Sequence, residues 1–193
     1  MKRIFLVILV AMGLCATAQV LTIRDGAFIG ASRRSGSTSV PYVTNQTLAT
    51  LRNDFTGRLG FWGVVSNGNL NITDLGRWVI SGDDANHTLA VYTNIFGSAV
   101  LVGSVTFNCA GATTNQFGYS SVSMTLINGG TYAIVSSEVS GGSEDRWGDG
   151  TTTIQHTDRF VCQGRCYSSD GVSFSNATAT DNTYGPVNFK YSP

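Results

Sequence analysis

A period of two, broken at short intervals by Asn-Gly or Asp-Gly pairs, constrains this chain more than any other feature. The runs Leu89-Ala90-Val91-Tyr92, Val100 to Phe107, Val122 to Ile127 and Tyr132 to Val139 are short and rich in β-branched and aromatic residues. Such runs suit a pleated strand, whose successive side chains point to opposite faces. Turn pairs punctuate the chain at Asp25-Gly26, Asn67-Gly68, Asn128-Gly129, Asp149-Gly150 and Asp170-Gly171. Asn or Asp followed by Gly tolerates the positive φ of a hairpin turn. The pattern predicts roughly nine to eleven strands spaced by about 8 to 12 residues, an all-β fold built as an antiparallel β-sandwich or barrel. No window sustains a helical period, and only Leu48 to Asp54 reads as one short helical turn. There is no internal repeat.

The first residues are expected to leave the mature fold. Met1-Lys2-Arg3 is a positive start, Ile4 to Leu14 is an apolar run, and Ala16-Thr17-Ala18 supplies small residues before Gln19. That order reads as a secretory signal peptide over residues 1–18, and the expected location is extracellular. The apolar run falls short of the roughly 20 residues that span a bilayer, so no membrane span is expected. Residues 19–39 read as a short strand and a flexible link, because Gly30 to Ser39 is small, polar and unpatterned. Arg33-Arg34 within it is a candidate processing site, although a solvated loop is the plainer reading. Residues 40–193 form the expected sandwich domain.

Charge excludes one class of partner. The chain has 12 basic and 12 acidic residues, and only 12% of it is charged, against about 25% in ordinary soluble domains. Its two lysines are Lys2 and Lys190, too few for the basic patch that nucleic acid requires. Removing Lys2 and Arg3 leaves 10 basic against 12 acidic residues, a formal charge of −2.

An oxidising compartment makes disulfides plausible for Cys109, Cys162 and Cys166. Either Cys162 and Cys166 close a small loop across Gly164, or Cys109 bridges to one of them; the third thiol stays free or links two chains. A closed zinc site is a poor match to three cysteines without histidine at ligand spacing. Four sequons, beginning at Asn45, Asn71, Asn86 and Asn176, are glycosylation candidates, though an Asn-, Ser- and Thr-rich chain also generates them by chance.

The stretch Ser140 to Gly150 concentrates acidic and aromatic character. Trp147 suits stacking on a sugar ring, with Asp145, Arg146, Asp149 and the nearby Glu138 as polar contacts. Glu144, Asp145 and Asp149 are alternatively oxygen ligands for a structural calcium ion. No other cofactor is expected. Catalysis has thin support: Glu138 with Asp145 is the one pair to weigh for glycoside hydrolysis, and neither His87 nor His156 accompanies a Gly-x-Ser-x-Gly nucleophile. Trp62 and Trp78 sit in strand-like runs and are expected to include at least one core residue.

The segments Thr47 to Gly57, Leu75-Gly76-Arg77-Trp78, His87-Thr88, Ala110 to Thr113 with Gln116 to Tyr119, Gly130-Thr131-Tyr132 through Glu138, and Tyr184 to Phe189 together resemble a secreted β-sandwich module. That module is found mainly in bacterial extracellular multidomain proteins, often beside carbohydrate-active enzymes. The resemblance covers about Val40 to Tyr191 and implies a jelly-roll-like accessory domain without established chemistry. Here the module is expected to stand almost alone and carries three cysteines, which shifts the expectation from enzyme accessory to binding or assembly. Two functions follow. One is a secreted non-catalytic module that binds extracellular glycans or mediates adhesion through the Trp147 loop. The other is a structural protein that self-associates into a matrix, coat or filament, since low net charge weakens repulsion between copies.

Overall fold

The computed structural model describes residues 38–141, 147–154, 159–178 and 186–193. Alternation along the chain becomes twelve strands and, among the described residues, no helix. They are β1 (Val40–Pro41), β2 (Val43–Arg52), β3 (Gly57–Val65), β4 (Leu70–Val79), β5 (Asn86–Thr93), β6 (Val100–Asn108), β7 (Gln116–Leu126), β8 (Thr131–Glu138), β9 (Trp147–Ile154), β10 (Phe160–Ser168), β11 (Ser175–Thr178) and β12 (Val187–Ser192). All pairings are antiparallel. The sandwich expectation holds, with slightly more strands than the pattern suggested. One of them, β1, has two residues and is too short to show a period.

The strands form a four-stranded sheet ordered β1-β12-β4-β7, a six-stranded sheet ordered β11-β10-β3-β8-β5-β6, and a two-stranded ribbon of β2 and β9. Setting aside β2, β9, β10 and β11 leaves eight strands whose sequential numbers interleave as 1-8-3-6 in one sheet and 2-7-4-5 in the other. That interleaving is a jelly roll. The additional strands have distinct roles: β10 and β11 extend the six-stranded sheet beyond β3, while β2 and β9 stand as a ribbon.

Period-two alternation sorts the core. Phe61, Val91 and Ile134 face the second sheet and join Leu70, Ile72, Leu75, Leu126 and Phe189 in the main cluster. Their neighbours Trp62, Ala90, Tyr92, Ala133 and Val135 turn to the opposite face and pack with Ile95, Cys166 and Phe174. At the centre Tyr42 stacks on Phe189 at 4.7 Å and meets Phe160 edge-on at 5.2 Å, the offset and T-shaped arrangements that aromatic quadrupoles favour. Buried Asn188 fixes the start of β2: its Oδ1 accepts from Val43 N at 2.7 Å and its Nδ2 donates to Val43 O at 2.8 Å.

Two local expectations are corrected. Leu48 to Asp54 is not a helical turn, because residues up to Arg52 pair with β9. Asp149-Gly150 is not a hairpin turn but lies within β9, where the register shifts opposite Leu48 and Thr50. Asn67-Gly68 does turn, with φ of 54° and 115°, the double positive φ of a tight hairpin. The expected signal peptide, most of the Gly30 to Ser39 link, Arg33-Arg34 and Asp25-Gly26 lie outside the described residues.

Candidate functional site

Inward positions near one end of the sandwich carry charge instead of hydrocarbon. On β4, Leu75 and Val79 point into the core, so Arg77 between them does too. On β8, Ser136 and Glu138 continue the inward parity of Ile134, and on β5, His87 continues that of Leu89 and Val91. The turn from β4 to β5 folds Asp83 into the same space. All five side chains are buried, with Arg77 fully enclosed and Glu138 2% exposed.

Their polar atoms saturate one another. Arg77 Nη1 donates to Glu138 Oε1 and, at 2.9 Å, to Ser136 Oγ; Nη2 donates to Glu138 Oε2 at 3.2 Å and to Asp83 Oδ2 at 3.1 Å. Arg77 Nε adds a 3.3 Å bond to the same Asp83 oxygen. His87 Nδ1 lies 2.7 Å from the Ser137 carbonyl and Nε2 lies 3.1 Å from Asp83 Oδ1. A ring with an acceptor at each nitrogen is best satisfied as the doubly protonated imidazolium. Burial opposes that charge, but the bonds to Asp83 and Cys109 prevail and lift the His87 pKa to about 10. Burial pushes the Glu138 carboxyl up to about 7 against the pull of Arg77 and His87. Burial also acts to raise Asp83, yet the His87 bond and the Arg77 charge hold it below the usual carboxylate range. Two cations and two carboxylates thus tie β4 of one sheet to β5 and β8 of the other. Opening this network by removing one partner leaves a buried charge unpaired.

Placed beside this geometry, several expected site residues move. Glu138 faces inward and its carboxylate is held by Arg77, so it does not line a sugar-binding loop or serve as an exposed acid/base. Trp147 and Asp149 lie on β9, in register with Arg52 and Thr50. Arg52 is part-exposed and bonded to Asp54 at 2.8 Å. Glu144, Asp145, Arg146 and His156 fall outside the described residues. Sequon residues Asn45, Asn71, Asn86 and Asn176 are all exposed.

Among the described residues no disulfide joins Cys109, Cys162 or Cys166. Gly164 is not at a turn between Cys162 and Cys166; all three lie within β10. Four residue steps of extended strand set the two cysteines about 13 Å apart, beyond the Cα separation a disulfide allows. A register shift between Cys162 and Gly164 also reverses the parity. Cys162 therefore packs against the main core and Cys166 joins the outer cluster. Buried Cys109 instead stands beside Asp83 and His87, and donor atoms of these three residues lie within 4.8 Å of one another.

The opposite chemical character appears along the side formed by β6 and β7, the outermost strands of the two sheets. The other edges of these two sheets are short, two residues in β1 and four in β11, whereas β6 has nine and β7 eleven. Neither long edge contains a charged residue or a proline. Val100, Leu101 and Val102 are 54%, 51% and 38% exposed at the start of β6. One register shift interrupts each strand. Further along, Phe107 packs over Gly118, where a Cβ would lie 2.3 Å from its ring, and Ser120 Oγ donates to Thr106 O at 3.3 Å.

Compared with protein-family models, curated proteins and solved structures, the chain finds no match.

Proposed function

We propose that this chain is a secreted, non-catalytic structural β-sandwich that assembles with copies of itself at the extracellular face through the β6–β7 side. The observation carrying this reading is the pair of long, charge-free edges with Val100, Leu101 and Val102 exposed. An exposed edge presents unpaired backbone groups, and proteins that stay monomeric shorten it, cover it or charge it. In the two main sheets the edges at β1 and β11 are short and the long ones at β6 and β7 are bare of charge, whereas the ribbon strands β2 and β9 carry Arg52 and Asp149. The signal-like start and near-balanced charge support the same reading.

Sedimentation velocity across a concentration series tests it. The wild type grows in mass with concentration, and Leu101→Lys remains monomeric with an unchanged melting temperature. A wild type that is monomeric throughout, or a Leu101→Lys variant that assembles equally, overturns the proposal.

Glycan binding is a second reading, favoured by the β2–β9 ribbon. Its register sets Trp147 opposite Arg52, whose guanidinium joins Asp54 in an accessible polar pair. Aromatic and charged groups together are the mixture a sugar site uses. A glycan array that retains wild-type ligands and loses them with Trp147→Ala supports it; equal binding by both proteins, or binding by neither, removes it.

A further inference from the structure

We propose that Asp83, His87 and Cys109 form a binding site for a zinc-class divalent transition metal, seated beneath the β4–β5 turn and the loop that follows β6. The donors come from two separated stretches of sequence, Asp83 with His87 four residues on, and Cys109 after β6, yet one oxygen, one nitrogen and one sulfur lie within 4.8 Å of one another, all from buried residues. In a tetrahedral zinc site the bond lengths of about 2.0 to 2.3 Å place donor atoms about 3.3 to 3.8 Å apart. His87 Nε2 and Asp83 Oδ1 already stand at 3.1 Å.

The surrounding bonds orient each ligand. His87 Nδ1 faces the Ser137 carbonyl at 2.7 Å, which fixes that nitrogen as the N–H and leaves Nε2 for the metal. Asp83 divides its oxygens: Oδ2 receives Arg77, while Oδ1 faces the histidine. Cys109 is anchored through its backbone, its N–H donating to Ala85 O at 3.0 Å, so the loops carrying Cys109 and Asp83 are tied together. Asp84 and Ala110, the sequence neighbours of Asp83 and Cys109, are exposed.

The donor set selects the ion. Thiolate and imidazole suit zinc and its late first-row neighbours, whereas calcium and magnesium require oxygen donors. A catalytic Cys-His-Asp relay would place cysteine and carboxylate at opposite ring nitrogens. Here Nδ1 is committed to a carbonyl and the carboxylate meets Nε2, an arrangement converging on a point. Metal binding takes cysteine as thiolate and histidine through an unprotonated ring nitrogen, so protons leave as the ion enters. Three protein ligands leave a fourth position for water or an external ligand.

Cobalt(II) added to the reduced full-length protein provides the probe. The wild type develops thiolate-to-cobalt charge-transfer absorption at one equivalent, zinc abolishes it, and binding releases protons. Cys109→Ala loses the band and weakens zinc binding by at least about tenfold, while Cys162→Ala retains both. His87→Gln, checked for folding by circular dichroism, also loses the band. A folded wild type that gives no band with excess cobalt overturns the proposal. So does a band that survives Cys109→Ala or disappears with Cys162→Ala.

Discussion

The interior near Arg77 and the outer side along β6 and β7 invert the usual distribution of charge. Inside, Arg77, Asp83, His87 and Glu138 fill space that hydrocarbon ordinarily occupies. Outside, twenty residues of edge strand contain no charged side chain. In a chain with so few charges, placing four in the interior leaves fewer to keep the edges apart. The two regions also differ in tolerance. A buried network fails when one member is removed, because its partners cannot be solvated, whereas an exposed edge changes its associations at little cost to folding.

The largest expected effect comes from breaking the interior. Arg77→Met leaves the Glu138 and Asp83 carboxylates without their shared cation and lowers stability by about 3–5 kcal/mol, measured by chemical denaturation. Replacing both Arg77 by Met and Glu138 by Leu removes the pair together. That variant recovers a substantial part of the loss, and a double-mutant cycle reports the coupling.

Protonation sharpens the same contrast. The folded pKa of His87 lies above its ordinary 6.5, so its bound proton stabilises the native state. That contribution is complete below 6.5 and is lost as pH rises to about 10. Glu138 is likewise raised, from 4.5 to about 7, and its contribution is complete below 4.5 and lost as pH rises through 7. Asp83 is lowered and loses its contribution only as pH falls through its folded value in acid. Stability therefore declines from mildly acidic to alkaline pH, with a slope of up to about 1.4 kcal/mol per pH unit from each group. Denaturation midpoints at several pH values measure it, and His87→Gln flattens the segment between 7 and 10.

The smallest effect on stability is expected at the edge. Leu101→Lys shifts it by less than about 0.5 kcal/mol in thermal melts, although it blocks assembly.

Fold class was legible because alternation is local. Strand identity follows from runs such as Tyr132 to Val139, and the Asn67-Gly68 hairpin follows from its own two residues. The jelly-roll order was only suggested, since it depends on which distant strands meet. The interior network had a signal in parity: Leu75-x-Arg77-x-Val79, His87-x-Leu89-x-Val91 and Ile134-x-Ser136-x-Glu138 place polar residues in phase with core residues. That Asp83 and Cys109 join them was not legible, because a turn and a post-strand loop bring them there. The Cys162–Cys166 expectation failed for a related reason: Gly164 suggests a turn, but β10 pairs with strands on both sides and accommodates the glycine as a register shift instead.

Concentration-dependent hydrogen exchange, resolved by strand, tests the central claim most directly. Assembly through the β6–β7 side makes β6 amides exchange more slowly as protein concentration rises, while those of β11 at the opposite edge keep one rate. Equal β6 rates at every concentration, or new protection confined to β11, would contradict it.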